Sequence, residues 1–175
     1  ILRSPHAHAN IKSIDCSKAL AMEGVLAVMT GDDLAEPGNT VLGSGEGAIA
    51  LKDLIPMVMS QGKVLFHAQA VAAVAATTAT LAAEAAAAIE IVYEVLPAVT
   101  DMHEALADGA PILHSDRFPD GKPKEPTNLA AQITMQVGEP DAAFERADVI
   151  VERTYSVPMC HQGYIEPHAC VVRVD

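Results

Sequence analysis

Ala70-Val71-Ala72-Ala73-Val74-Ala75-Ala76 runs into Thr77-Thr78, then into Ala79 to Ala88, where only Thr80, Leu81 and Glu84 interrupt the alanines, and then into Ile89-Glu90-Ile91-Val92-Tyr93-Glu94-Val95. The hydrophobic period changes twice along this stretch. The first piece is a continuous apolar run of strand length, the second places Leu81, Ala85 and Ala88 at i, i+4 and i+7, and the third alternates with period two. Thr77 or Thr78 can cap the helix by accepting a hydrogen bond from an amide of its first turn. Strand, helix through Ala88 and strand in this order predict a βαβ unit with parallel strands and a right-handed crossover. Alanine on the helix face permits close approach to a sheet, with Glu84 turned to water.

Upstream, the alternation Ile11-Lys12-Ser13-Ile14-Asp15 reads as a half-buried strand. Ser17 to Met22 reads as a short helix stopped at Gly24, a position that welcomes a left-handed residue. Val25 to Met29 is then a buried strand, and Thr30 caps a one-turn helix from Gly31 to Leu34 with Asp32 and Asp33 in its favourable first turn. From Ala35 to Ser60 the composition turns to Gly, Pro and Asn without clear periodicity, and a surface loop is expected. Within it, Gly43-Ser44-Gly45-Glu46-Gly47 resembles a phosphate-cradling loop only superficially, because the third glycine of the dinucleotide fingerprint falls one place early.

Downstream, residues 108–128 combine Asp108-Gly109-Ala110-Pro111 with Pro119, Gly121, Pro123 and Pro126, the composition of a linker. Beyond it, Gln132 to Val137 reads as a strand, Pro140 as the first residue of a helix through Ala147, and Asp148 to Val157 as a long alternating strand. The expected organisation is a first domain over 1–107 whose initial strand precedes Ile1, a linker over 108–128, and the start of a second domain over 129–175. The chain opens on Ile1 and stops within the apolar run ending Val171-Val172-Arg173-Val174-Asp175, which reads as a piece of a longer polypeptide. Val149, Val151, Tyr155, Val171, Val172 and Val174 are accordingly expected to require sheet partners from elsewhere.

Composition narrows the function classes. Aromatic residues make up 3% of the 175 and Trp is absent, so stacking platforms for bases or sugars are not available. A net charge of −12, with 11 basic residues scattered along the chain, opposes nucleic acid and anionic membranes, whose binding draws on Lys and Arg. The Ala-rich region from Ala68 to Tyr93 is long enough to cross a bilayer by count, but Gln69, Thr77, Thr78, Thr80 and Glu84 interrupt it, and a mid-span acid costs about 2.5–3.5 kcal/mol. Three cysteines without scaffold spacing fit a reducing compartment, and the cytoplasm is expected.

Two clusters carry metal-ligating chemistry. His6 and His8 share a face if extended, yet no Cys, Asp or Glu at local spacing completes a site. Cys160, His161, Glu166, His168 and Cys170 lie within eleven residues, but their spacings match neither a Cys-x₂₋₄-Cys nor a His-x₃₋₅-His knuckle. Ser4 has no argued base beside it, and Glu90 and Glu94 read as solvated strand residues. No catalytic, cofactor-binding or metal-binding residue is therefore assigned.

The chain resembles the molybdenum hydroxylase large subunits of the xanthine dehydrogenase and aldehyde oxidase family. The resemblance rests on Arg3-Ser4-Pro5-His6-Ala7-His8-Ala9-Asn10-Ile11 with Ile14-Asp15 and Gly24-Val25, then Asp32-Asp33-Leu34, Val64-Leu65-Phe66 with Gln69, and Val92-Tyr93-Glu94 with Leu96-Pro97-Ala98-Val99. It continues through His161-Gln162-Gly163-Tyr164-Ile165-Glu166-Pro167-His168-Ala169, and is nearest to bacterial members such as carbon monoxide dehydrogenase and 4-hydroxybenzoyl-CoA reductase. Ala68 departs from the family's usual Gly before Gln69.

The resemblance implies an α+β fold, an α/β-hammerhead domain with βαβ units and a mixed sheet, followed by the first strands and helix of a molybdopterin-binding domain. It implies molybdopterin in the full large subunit, 2Fe-2S clusters and FAD in partner subunits or domains, and a small-molecule substrate. It further implies a reaction centre downstream, so this stretch is expected to be scaffold that binds no cofactor by itself. The competing expectation is a stand-alone acidic protein-interaction module without catalysis.

Overall fold

The computed structural model describes residues 1–34, 38, 40–44, 47–115, 127–129, 133–160, 163–166 and 171–173. The Ala-rich run becomes strand β7, Ala70–Ala76, after β1 (Leu2–Arg3), β2 (Ala9–Asp15), α1 (Ser17–Leu20), β3 (Val25–Thr30), β4 (Val41–Ser44), β5 (Gly47–Ala50), α2 (Leu51–Val58) and β6 (Lys63–Val64). Helix α3, Ala79–Ala87, is capped by Thr78, whose Oγ1 accepts from the Leu81 amide at 3.2 Å, and β8 follows at Glu90–Val95. A 3₁₀ turn, Gly31–Asp33, and the short helices α4 (Met102–Ala105) and α5 (Pro140–Arg146) complete the described elements.

The sheet partners overturn the expected crossover. β7 is the central strand of one sheet, ordered β1-β7-β3, whereas β8 is an edge strand of another, ordered β6-β2-β8, and every described pairing is antiparallel. Periodicity identifies which face of a strand is apolar; it does not identify the neighbour. β8 carries Glu90 and Glu94, which an all-apolar β7 could not complement. β2 and α1 can: Lys12 lies 2.6 Å from Glu94, Asn10 donates to the same carboxylate at 2.8 Å, and Lys18 pairs with Glu90. Cross-strand pairs of this kind set register. Helix α3 packs on β7 as expected, burying Ala85 and Ala86.

Bulges explain apolar spacings that strict alternation would misplace. In β2 the pairing moves from Ile11 opposite Tyr93 to Ser13 opposite Val92, so Lys12 is an extra residue, and Ile11 and Ile14 can both turn inward. In β3 the same shift at Leu26 brings Val25 and Val28 toward the core. β3 is thus not the fully buried strand expected; it is an edge, with Leu26 69% exposed. The core is small-residue packing in two adjoining clusters, one around Ala19, Ala72, Ala85 and Ile89, the other around Ala9, Val64 and Val71, with Leu2 and Ile91 packed against both.

The described residues between 38 and 60 are more regular than a surface loop. β4 and β5 form an antiparallel hairpin, from Val41 opposite Ala50 to Ser44 opposite Gly47, and α2 follows directly. The glycines and Pro56 read as breakers, but Gly43 and Gly47 sit in strands and Pro56 sits near the helix end, where its carbonyl is used elsewhere. Gly45 and Glu46 of the glycine-rich motif lie outside the described residues.

Gly24, with φ +89°, ends the turn after α1 and could not carry a side chain, since a Cβ would come within 2.8 Å of both Leu81 and Thr77. Ala68 also has a left-handed backbone, φ +65°, held by its amide donating to Ser4 O at 3.0 Å and its carbonyl accepting from Arg3 Nη1 at 2.8 Å. An alanine in that region is strained by about 1 kcal/mol, which accounts physically for a glycine preference at this place. Ala68→Gly is expected to raise stability by about 0.5 kcal/mol, the rest of the relief being offset by a more flexible unfolded chain. Denaturant unfolding checks this; a lowered midpoint would contradict it.

The chain divides into two compact units, Ile1–Gln132 and Ile133–Asp175. In the second, Pro140 opens α5 as expected. The expected strands over 132–137 and 148–157 do not form among the described residues, where Ile133 and Val157 are each 84% exposed. A strand needs a hydrogen-bonded neighbour, and alternation by itself supplies none.

Candidate functional site

Chemistry-bearing side chains gather where the segment after β1 meets the loop between β6 and β7. Ser4 is buried; its amide donates to Gln69 O at 2.9 Å, and its Oγ accepts from the His6 amide at 3.0 Å and lies 3.3 Å from His6 O. The hydroxyl is engaged by its own turn, not by an imidazole, so no nucleophile–base pair exists here. Gln69, fully buried, accepts from the Leu65 amide at 2.7 Å and donates to Pro56 O at 2.7 Å, joining the β6–β7 loop to the end of α2. Nearby, Ser60 donates to Lys63 O at 2.6 Å and Gln61 donates to Gly31 O at 3.1 Å.

The two N-terminal histidines are separated by role. His6 sits edge-on to Tyr93, with ring centroids 4.9 Å apart. His8 is 3% exposed and its Nδ1 lies 2.6 Å from Pro97 O, a carbonyl that can only accept, so Nδ1 carries the proton. Burial pushes the Tyr93 phenol up, with hydrogen bonding to Ser4 opposing. Among the described residues no group of three or more His, Cys, Asp or Glu side chains could hold a metal ion. Cys160 and Glu166 are exposed, and His161, His168 and Cys170 lie outside the described residues.

The surface carboxylates are structural partners. Hydrogen bonds from Asn10 and then Lys12 hold Glu94 below the ordinary range, a bond to Ser17 does so for Asp15, and Asp101, the N-cap of α4, is lowered by the Glu104 and His103 amides. A group with a depressed folded pKa contributes stability above its unfolded value that is lost as pH falls through the folded value. Stability is therefore expected to be level above about pH 5 and to decline as pH drops below about 4. Urea titrations over this range test it; Asp101→Asn should flatten part of the decline, and an unchanged slope would contradict the assignment.

Sequence reasoning missed two polar anchors. Gln69 looked like an interruption in an apolar run, although a lone Gln beside Val71 and Ala72 signals a buried amide with partners to find. Asn128 lay in the linker composition, yet its side chain bonds three backbone groups: Oδ1 accepts from Leu113 N at 3.0 Å, and Nδ2 donates to Ala105 O and Pro111 O, each at 2.9 Å.

Residues 1–97 match the family model described as aldehyde oxidase and xanthine dehydrogenase, a/b hammerhead domain, and residues 122–175 match the molybdopterin cofactor-binding domain. Over its whole length the chain is 35% identical to the probable hypoxanthine oxidase XdhD of Escherichia coli O157:H7, spanning 21% of that protein. It is 38% identical to the nicotinate dehydrogenase large molybdopterin subunit of Eubacterium barkeri, again over its whole length and spanning 37% of that subunit. The fold is similar to the crystal structure of the Cu,Mo-CO dehydrogenase, with TM-score 0.60 and 37% identity over 85% of this chain and 18% of that one. The chain thus spans between about a fifth and two fifths of the length of these relatives.

Proposed function

Because the chain belongs to the aldehyde oxidase and xanthine dehydrogenase family, we propose that it is the N-terminal portion of the large subunit of a molybdenum-containing oxidoreductase, acting there as scaffold. The observation that carries this reading is that hammerhead and molybdopterin-binding matches succeed one another in the chain, and that relatives 35% and 38% identical align over its whole length. The proposed organisation is a hammerhead domain over 1–107, a linker over 108–128 and the start of the molybdopterin-binding domain over 129–175.

In the full subunit, molybdopterin would supply two-electron redox chemistry on a small molecule. No chemical step is assigned to the described residues. Catalytic and cofactor-binding roles are assigned to none of these residues. What they do is hold a backbone frame: Gln69, Ser4 and His8 fix the loops between strands with hydrogen bonds. Iron–sulfur and flavin modules, in partner subunits or domains, would take the electrons onward, and the cytoplasm is the proposed compartment. No helix among the described residues is long and apolar enough to cross a membrane.

Purification of the full-length protein from its native source under mild conditions tests this reading. Iron, acid-labile sulfide and flavin are expected to travel with it in constant ratio. A folded, full-length protein that purifies without any of them would overturn the proposed partners.

A further inference from the structure

We infer that Asn128 is a clasp that holds the two ends of the linker together on the first unit and keeps Pro111 and Leu113 seated there. The three bonds from this one amide reach Ala105, just before the linker composition begins, and Pro111 and Leu113 within it, while Asn128 itself stands at the linker's last position. Both N–H groups and the carbonyl oxygen are used, which fixes the amide's orientation without ambiguity. A second anchor is independent of it: Lys63, on β6, donates from Nζ to Leu113 O at 2.9 Å. Leu113 is therefore held on both sides, its amide by Asn128 and its carbonyl by the sheet.

The consequence is geometric. A free, Gly- and Pro-punctuated linker of about 20 residues would have a root-mean-square span of about 25 Å. Here its two ends are brought together by the Asn128–Ala105 bond. Loop length between the clasped ends then matters little, because closure entropy grows only logarithmically with length. The inference concerns this chain's own backbone and holds whatever the full protein oxidises.

Hydrogen exchange on the full-length protein tests it at one amide. In Asn128→Ala the Leu113 amide loses its acceptor and should exchange at least tenfold faster, while amides of β7 keep their wild-type rates. Asn128→Asp retains an acceptor for Leu113 but loses both donors, and should give an intermediate acceleration; it also serves if the alanine variant does not fold. Unchanged Leu113 exchange in either variant would overturn the clasp. So would an equal acceleration across β7 and Leu113, which would make Asn128 a general stability residue.

Discussion

Gln69→Ala should destabilise the first unit by about 3 kcal/mol, the largest effect of any single side-chain truncation expected here. The substitution removes two hydrogen bonds of 2.7 Å and leaves the Leu65 amide and the Pro56 carbonyl without those partners. Each bond contributes about 1 kcal/mol net, and each group left unpaired away from water costs about 1–3 kcal/mol, so loss of partners outweighs loss of the amide's own packing. The series Gln69→Ala, Gln69→Leu and Gln69→Glu separates the causes. Leucine restores volume without the bonds and should recover less than half of the loss. Glutamate keeps an acceptor but places a carboxylate in a fully buried position, and should be at least as damaging as alanine near neutral pH. Equal stability of the leucine variant and wild type would show that volume, not hydrogen bonding, matters at this position.

Gly31→Ala comes next, through the backbone. A Cβ on Gly31 would stand 2.1 Å from Ser60 O and 2.9 Å from Ser60 C, with Gln61 Cγ at 3.0 Å. The obstacle is main chain, and it is itself tied down, because the Ser60 amide donates to Ala70 O at 2.8 Å and Gln61 donates to Gly31 O. The strand end and the α2–β6 turn cannot separate without giving up those bonds. Overpacking of a yielding site costs about 1–3 kcal/mol, and this site yields less. A loss of about 3 kcal/mol is expected, measured by urea unfolding, with the β7 amides exchanging faster than in wild type. A variant within about 0.5 kcal/mol of wild type, the ordinary scatter of surface substitutions, would mean that the two segments are free to move apart.

The α+β architecture and its local punctuation were readable from the residues. Thr78 and Ala70–Ala76 lie where period and capping chemistry place them, Pro140 opens its helix, and the turn at Gly24 needs the left-handed backbone that only glycine adopts without strain. Partnership over long separations could not be read. β7 and β8 look like successive strands of one sheet, yet Glu90 and Glu94 find their cations on Lys18 and Lys12, some seventy to eighty positions upstream, and β8 goes with them. The hairpin from Val41 to Ala50 was hidden because glycine is as compatible with a strand lacking bulky side chains as with a loop, and the choice is made by pairing. The partners of Gln69 and Asn128 were silent for the same reason: an amide's value depends on which backbone groups the fold brings to it. The family resemblance reached further than periodicity, since motif order encodes those long-range partners without stating them.

That these residues belong to the N-terminal portion of the large subunit of a molybdenum oxidoreductase is tested most directly by metal analysis of the full-length protein isolated from its native source. One molybdenum per large subunit, accompanied by a releasable pterin, is the predicted result. A full-length, folded protein that contains neither, from cells whose other molybdenum enzymes are loaded, would contradict it.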